Sequence, residues 1–142
     1  MIRKYRKNDV DAVVSSWRLA SERAHPFLTT QFLDQEASNV RNIYLVHAET
    51  WVIEVGACVV GFIALIDDQI GGLFLEPKYH GQGYGKALVD KAVAEKGSLR
   101  VEVFKLNTIG RRFYRSYGFT GNEEFLHPET GQPTLRLSYT LE

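Results

Sequence analysis

Apolar positions recur at helical spacing in the first third of the chain and in short β-rich blocks thereafter. Val13, Val14, Trp17, Leu19 and Ala20 mark the apolar side of a helix from Val10 to about Ala24. Asn8 and Asp9 supply capping side chains at its start, and Pro26 stops it. Phe32, Leu33, Ala37, Val40, Ile43 and Tyr44 share one face of a second helix over residues 31–45. Residues 2–5 make an edge strand at most. From residue 50 the period changes. Residues 51–55 and 58–66 are β-rich runs separated by Gly56-Ala57, a hairpin signal. A turn at Asp67-Asp68 leads into a strand over 69–75, where Gly71-Gly72 signals a bulge or a close backbone approach. Leu88, Val89, Ala92 and Val93 then return to helical spacing, and Gly97-Ser98 leads to a strand over 99–103. A strand, a helix and a strand in succession imply a right-handed crossover and a parallel pair. A short helix over 108–117 closes at Gly118. Residues 119–125 and 134–140 flank Pro128-Glu129-Thr130-Gly131 as a final hairpin.

The element order β-α-α-β-β-β-α-β-α-β-β is that of an α/β chain with a mixed sheet. It is antiparallel except at one central junction. No internal repeat, low-complexity tract or linker interrupts it, so a single domain over residues 1–142 is expected. At 16.1 kDa it is large enough for one well-buried core. Lys plus Arg and Asp plus Glu both number 17, which gives no global field for nucleic acid or an anionic membrane. No apolar run approaches the ~20 residues of a membrane span, and charge follows directly on Ile2 without a secretory leader. The lone Cys58 cannot form an intrachain disulfide, which suits a reducing cytoplasm. Its place in an apolar run predicts an inert core thiol. His25, His47, His80 and His127 are scattered and predict no metal site.

The chemistry concentrates between residues 73 and 88. Pro77 ends an apolar strand, Gly81, Gly83 and Gly85 follow on alternate positions, and a helix begins. Glycines allow positive φ and leave no Cβ to hold a ligand away. Unpaired N–H groups opening a helix form an anion site, so the stretch is suited to a phosphate. A Walker loop is excluded by His80 at its first glycine position and by Ala87, which has no hydroxyl for magnesium. The dinucleotide spacing G-x-G-x-x-G is absent as well. A second polar cluster lies on the next helix. Asn107, Gly110 and Tyr114 share a face, while Ile109, Phe113 and Tyr117 look like its core side. Gly110 costs that helix about 1 kcal/mol relative to Ala, which predicts that something lies against it there.

The loop resembles the acyl-CoA signature of the GCN5-related N-acetyltransferases, the GNAT family. That signature reads Arg/Gln-x-x-Gly-x-Gly/Ala after a strand. Gly83 and Gly85 match it, and His80 departs from it at the first position. The run from Asn107 to Phe119 resembles the family's Asn-x-x-Ala/Gly-x-x-Phe-Tyr-x-x-x-Gly-Phe, and the element order matches over nearly the whole chain. The resemblance implies the acyl-CoA N-acyltransferase fold, a central, mostly antiparallel sheet with one splayed parallel pair and flanking helices. It implies transfer of the acetyl group of acetyl-CoA to a primary amine by direct attack, without a metal. By the same carry-over Leu73, Phe74 and Leu75 would pair with pantetheine, and Gln82, Gly83, Tyr84, Gly85 and Lys86 would hold the pyrophosphate. Asn107 and Phe113 would meet the pantetheine arm. Tyr114 would protonate the leaving thiolate, with Tyr117 as its competitor, expected to be buried. His25 and Phe27, with Trp17 and Phe32, would line the acceptor pocket. His25 is also a candidate base, since its ordinary pKa of about 6.5 suits that work. Glu102 is a weaker one, and no carboxylate stands on the strand before the loop. Residues 23–28, 50–52 and 131–133 further resemble the YjaB-like bacterial branch, described as peptidyl-lysine acetyltransferases. Small amines as acceptors, and a non-catalytic CoA-binding module, are the alternatives. A monomer or a homodimer is expected.

Overall fold

The computed structural model describes residues 1–141. Seven strands form one sheet: β1 (Ile2–Lys4), β2 (Glu49–Val55), β3 (Cys58–Ile66), β4 (Gln69–Leu75), β5 (Leu99–Phe104), β6 (Thr120–Leu126) and β7 (Pro133–Tyr139), in the order β1-β2-β3-β4-β5-β7-β6. Every neighbouring pair is antiparallel except β4 with β5. The β2–β3 turn places both Gly56 and Ala57 at positive φ (59° and 66°), the primed geometry that follows the twist of the strands. In β4 the register with β3 shifts so that Ala64 faces Gly72 and Leu65 faces Ile70. Gly71 is therefore the extra residue of a bulge, as the glycine pair predicts.

Helices cover both faces. α1 (Val10–Ala24) and α2 (Thr30–Asn39) lie on one side, and α4 (Tyr84–Lys96) and α5 (Thr108–Tyr117) on the other, with a short α3 (Leu45–His47) preceding β2. Alternation along β3 divides the core accordingly. Phe62 and Ala64 join Val13, Trp17, Leu33 and Val52, while Ile63 and Leu65 join Leu88, Val89, Leu99 and Val101. Each such side chain taken fully out of water contributes about 1.5–3 kcal/mol. Among the described residues no helix is long and apolar enough to cross a membrane.

Four local expectations are corrected. Asp9 does not cap α1 with its side chain. Its carboxylate accepts from the Arg6 N–H (2.8 Å) and the Arg3 guanidinium (2.8 and 2.9 Å), which holds its pKa below the usual carboxylate range. Leu19 is exposed, and Ser16 and Ser21 take inward positions on α1. The second helix changes to a π-turn over Val40–Tyr44, whose wider turn rotates the apolar stripe and leaves Ile43 and Tyr44 exposed. Cys58 begins β3 beside the turn and is exposed, because the apolar run extends one residue past the buried part of the strand.

Gly61 lies where β3 meets the end of β4. A Cβ there would sit 2.8 Å from the Phe74 carbonyl oxygen and 2.7 Å from Leu75 Cδ1. Gly61→Ala should therefore lose about 1–3 kcal/mol of stability in chemical denaturation, the cost of overpacking against backbone. Unchanged stability would mean that β4 shifts freely at this point.

Candidate functional site

β4 and β5 are paired only at Gln69–Arg100 and Ile70–Val101. Beyond Ile70 they diverge, and a cleft of about 960 Å³ opens between them. Its walls include α1, α2, the loop after β4 and the first turns of α5. The Glu76 N–H donates to Val60 O (2.9 Å), so alternation turns the peptide groups of Phe74 and Gly72 towards β3. Those of Leu73 and Leu75 consequently face the open edge.

The loop between β4 and α4 presents a run of free amides. Among the described residues nothing accepts from the N–H groups of residues 81–86. Gly81 and Gly83 have φ of 76° and 88°, in the left-handed region, and Gly83 caps α4. His80, the residue that departs from the family signature, donates from Nε2 to the Leu75 carbonyl (2.9 Å) and ties the loop to its strand. Gly85 lies inside the first turn of α4. A Cβ there would meet the Phe113 ring at 3.2 Å, so this glycine lets α4 and α5 approach each other. Lys86 and Arg112 line the cleft at this end, and Lys86 is paired with Asp90 at 2.9 Å. Arg115 lies outside the cleft wall and reaches towards the Gly121 carbonyl. These donors and cations, set beside an unpaired strand edge, fit a phosphate-bearing acyl carrier with an extended amide arm.

On α5 the expected core side holds in part, since Phe113 and Tyr117 pack against the core. Tyr114 is its buried residue, with Phe113 and Tyr117 half-buried and Ile109 exposed. Tyr114 lines the cleft, and its hydroxyl has no hydrogen-bond partner among the described residues. Burial raises its pKa well above the ordinary tyrosine value, so the phenol keeps its proton throughout the neutral range. The Tyr117 hydroxyl instead donates to Asp90 (2.7 Å), on α4 and away from the cleft. Asn107 is the N-cap of α5, and its Oδ1 accepts from the Gly110 N–H at 2.8 Å. A Cβ on Gly110 would fall 2.6 Å from Asn107 Nδ2. The group that lies against Gly110 is thus the Asn107 amide itself.

At the other end of the cleft His25 is buried among the edges of Phe27, Phe74 and Phe104, at ring separations of 5.0–6.5 Å. Burial pushes its imidazole down to about 4. Trp17 and Phe32 line the wall beside it, whereas Phe27 packs behind His25 against Phe104. Glu102 reaches the cleft but is largely exposed and paired with Arg136 at 3.3 Å. Several lining residues carried no signal in the sequence. Phe104 sits at a strand end, His127 comes from the last hairpin, Glu36 lies on α2 and Tyr44 ends the π-turn. Ser21, whose buried hydroxyl has no partner, was hidden by a helix stripe drawn through apolar residues only.

Comparison with known proteins bears on this geometry. Residues 46–121 match the sequence model of the acetyltransferase (GNAT) domain. The chain is 30% identical over 141 residues to the peptidyl-lysine N-acetyltransferase YjaB of Salmonella typhimurium, covering 97% of each. It is 28% identical over 140 residues to the peptidyl-lysine N-acetyltransferase YiaC of Escherichia coli, covering 98% of this chain and 96% of that one. The solution structure of apo YjaB from Escherichia coli superposes with a TM-score of 0.88 at 26% identity, over 100% of this chain and 98% of that one.

Valine in place of Gly83 forces a branched residue into a backbone conformation costing about 1–3 kcal/mol. Affinity for acetyl-CoA should fall by about ten- to a hundredfold in calorimetry. A folded Gly83→Val protein with wild-type affinity would place the cofactor elsewhere.

Proposed function

This chain belongs to the GNAT acetyltransferase family, and on that premise we propose that it acts as a single domain acetylating the side-chain amine of peptidyl lysine. The observation that carries the mechanism is Tyr114, which lines the cleft with a hydroxyl that has no partner among the described residues, while the Tyr117 hydroxyl is held by Asp90. The acyl donor is acetyl-CoA, which when bound supplies an activated thioester. The amides of residues 81–86, with Lys86, hold its phosphates, and the free edge of β4 at Leu73 orders its amide arm. The names of the relatives support lysine as acceptor. A cytoplasmic setting fits the single cysteine.

Tyr114 acts on the sulfur that leaves. A thiol has a pKa of about 8.5, and the buried phenol lies well above the tyrosine value of about 10. Complete proton transfer to the departing thiolate therefore runs uphill. As the amine nitrogen forms the new C–N bond and the C–S bond breaks, the amine gives up a proton to solvent. The hydroxyl works chiefly as a fixed hydrogen-bond donor to charge developing on sulfur, and the departing thiolate takes its proton from solvent. Desolvation around Tyr114 strengthens that bond.

Tyr114→Phe removes the donor and keeps the ring. Its kcat should fall by about 10²–10³-fold with acetyl-CoA affinity nearly unchanged, as for loss of a single preorganised donor. Because burial raises this pKa, ionisation of Tyr114 removes no activity below about pH 10. Thiol release would be followed with lysine peptides, free amino acids and polyamines. Wild-type kcat in the Phe variant would remove Tyr114 from the mechanism. Turnover confined to the small amines would overturn the lysine assignment.

A further inference from the structure

His25 and Asn107 are 82 positions apart, yet Asn107 Nδ2 lies 3.2 Å from His25 Nε2. The direction of this contact follows from its surroundings. Asn107 Oδ1 is already turned to the Gly110 N–H at 2.8 Å, so the group facing the imidazole is the amide NH₂, which only donates. Nε2 must accept, and the imidazole proton sits on Nδ1. The one lone pair with which a neutral histidine could take a proton is therefore occupied. Protonating Nε2 would set N–H against N–H₂ and break the contact.

We propose that His25 is a positioning residue: its neutral imidazole fixes the Asn107 cap, and through that cap the first turns of the helix that carries Tyr114. The inference rests on the reading of this cleft as the acetyl-transfer site. Each link in the chain is local. His25 is the residue after α1 and its N–H closes that helix on Ser21 O (2.8 Å). Its ring is held edge-on by Phe27, Phe74 and Phe104, from the α1–α2 loop, β4 and β5. Asn107 caps α5, and Tyr114 lies two turns further along it. Among the described residues no charged side chain shifts this imidazole, whose pKa is lowered by burial alone. The titratable ring packed against the cage is His127, 5.2 Å from Phe104. The wall that meets the acceptor is thus tied to the helix that meets the leaving group.

The two roles of a histidine separate experimentally. His25→Gln keeps an acceptor near the position of Nε2, whereas His25→Leu fills the cage and removes it. Positioning predicts that the Gln variant stays within about threefold of wild-type kcat, while the Leu variant loses about 10²-fold from misplaced groups. The wild-type pH profile should show no limb in the ordinary imidazole range near pH 6.5. Heteronuclear NMR of the full chain without cofactor gives a readout independent of turnover. It should show an Nδ1–H tautomer that stays neutral down to about pH 4, and the Asn107 side-chain amide and Tyr114 ring signals should move in His25→Leu. Thermal melting checks that both variants fold. Equal large losses in folded Gln and Leu variants, or an imidazole titrating between pH 6 and 7, would overturn the proposal. A wild-type protein that acetylates no amine, with the tautomer intact, would overturn the assigned function and leave the link supported.

Discussion

Two parallel strands that hold each other for only two residues are the constraint on which this molecule depends. Gln69 and Ile70 pair with Arg100 and Val101, and the Gly71 bulge then redirects β4. A strand edge without a partner in the middle of a sheet leaves peptide groups in need of one. Leu73 and Leu75 carry those groups. At Leu75 the structure answers internally, because His80 bonds the carbonyl. At Leu73 the edge stays open to the cleft. The side chains hold the separation in place, with Leu73 and Leu75 committed to the α4 side of the sheet and Phe74 to the α1 side.

Close approach between helices does the rest. The absence of a side chain at Gly85 on α4 admits the ring of Phe113 on α5. Asp90 on α4 takes the Tyr117 hydroxyl. These two contacts, one steric and one polar, set the rotation of α5 about its own axis. That rotation decides which of two tyrosines three residues apart looks into the cleft.

Much of this was legible because period and glycine placement are local signals. The helix from Val10 to Ala24, the Gly56-Ala57 hairpin, the bulge in β4 and the single parallel junction all follow from spacing. So did the turn of alternate glycines that opens α4. What escaped the sequence was long-range. Nothing in the neighbourhood of His25 announces Asn107, and the desolvation of His25 comes from rings on three separate elements. The inward side of α5 was read only in part, because a short, strongly polar helix has two plausible apolar stripes. Here both Tyr114 and the side of Phe113 and Tyr117 meet the core. Only the packing of Tyr114 against Phe119 on the sheet side decides which is the deeper. The π-turn left no periodic mark either, since one added residue shifts the phase without changing composition.

That turn, over Val40–Tyr44, makes backbone length a variable of the cleft in its own right. Tyr44, at its end, lines the cleft together with Phe32, Leu33 and Val40 of the stripe that precedes it. Each residue of an α-helix advances the side chain by about 100°. Removing one residue from the wide turn would return it to an ordinary helical ladder and re-aim the side chains around it. A lineage could thus remodel this wall of the cleft by a one-codon deletion.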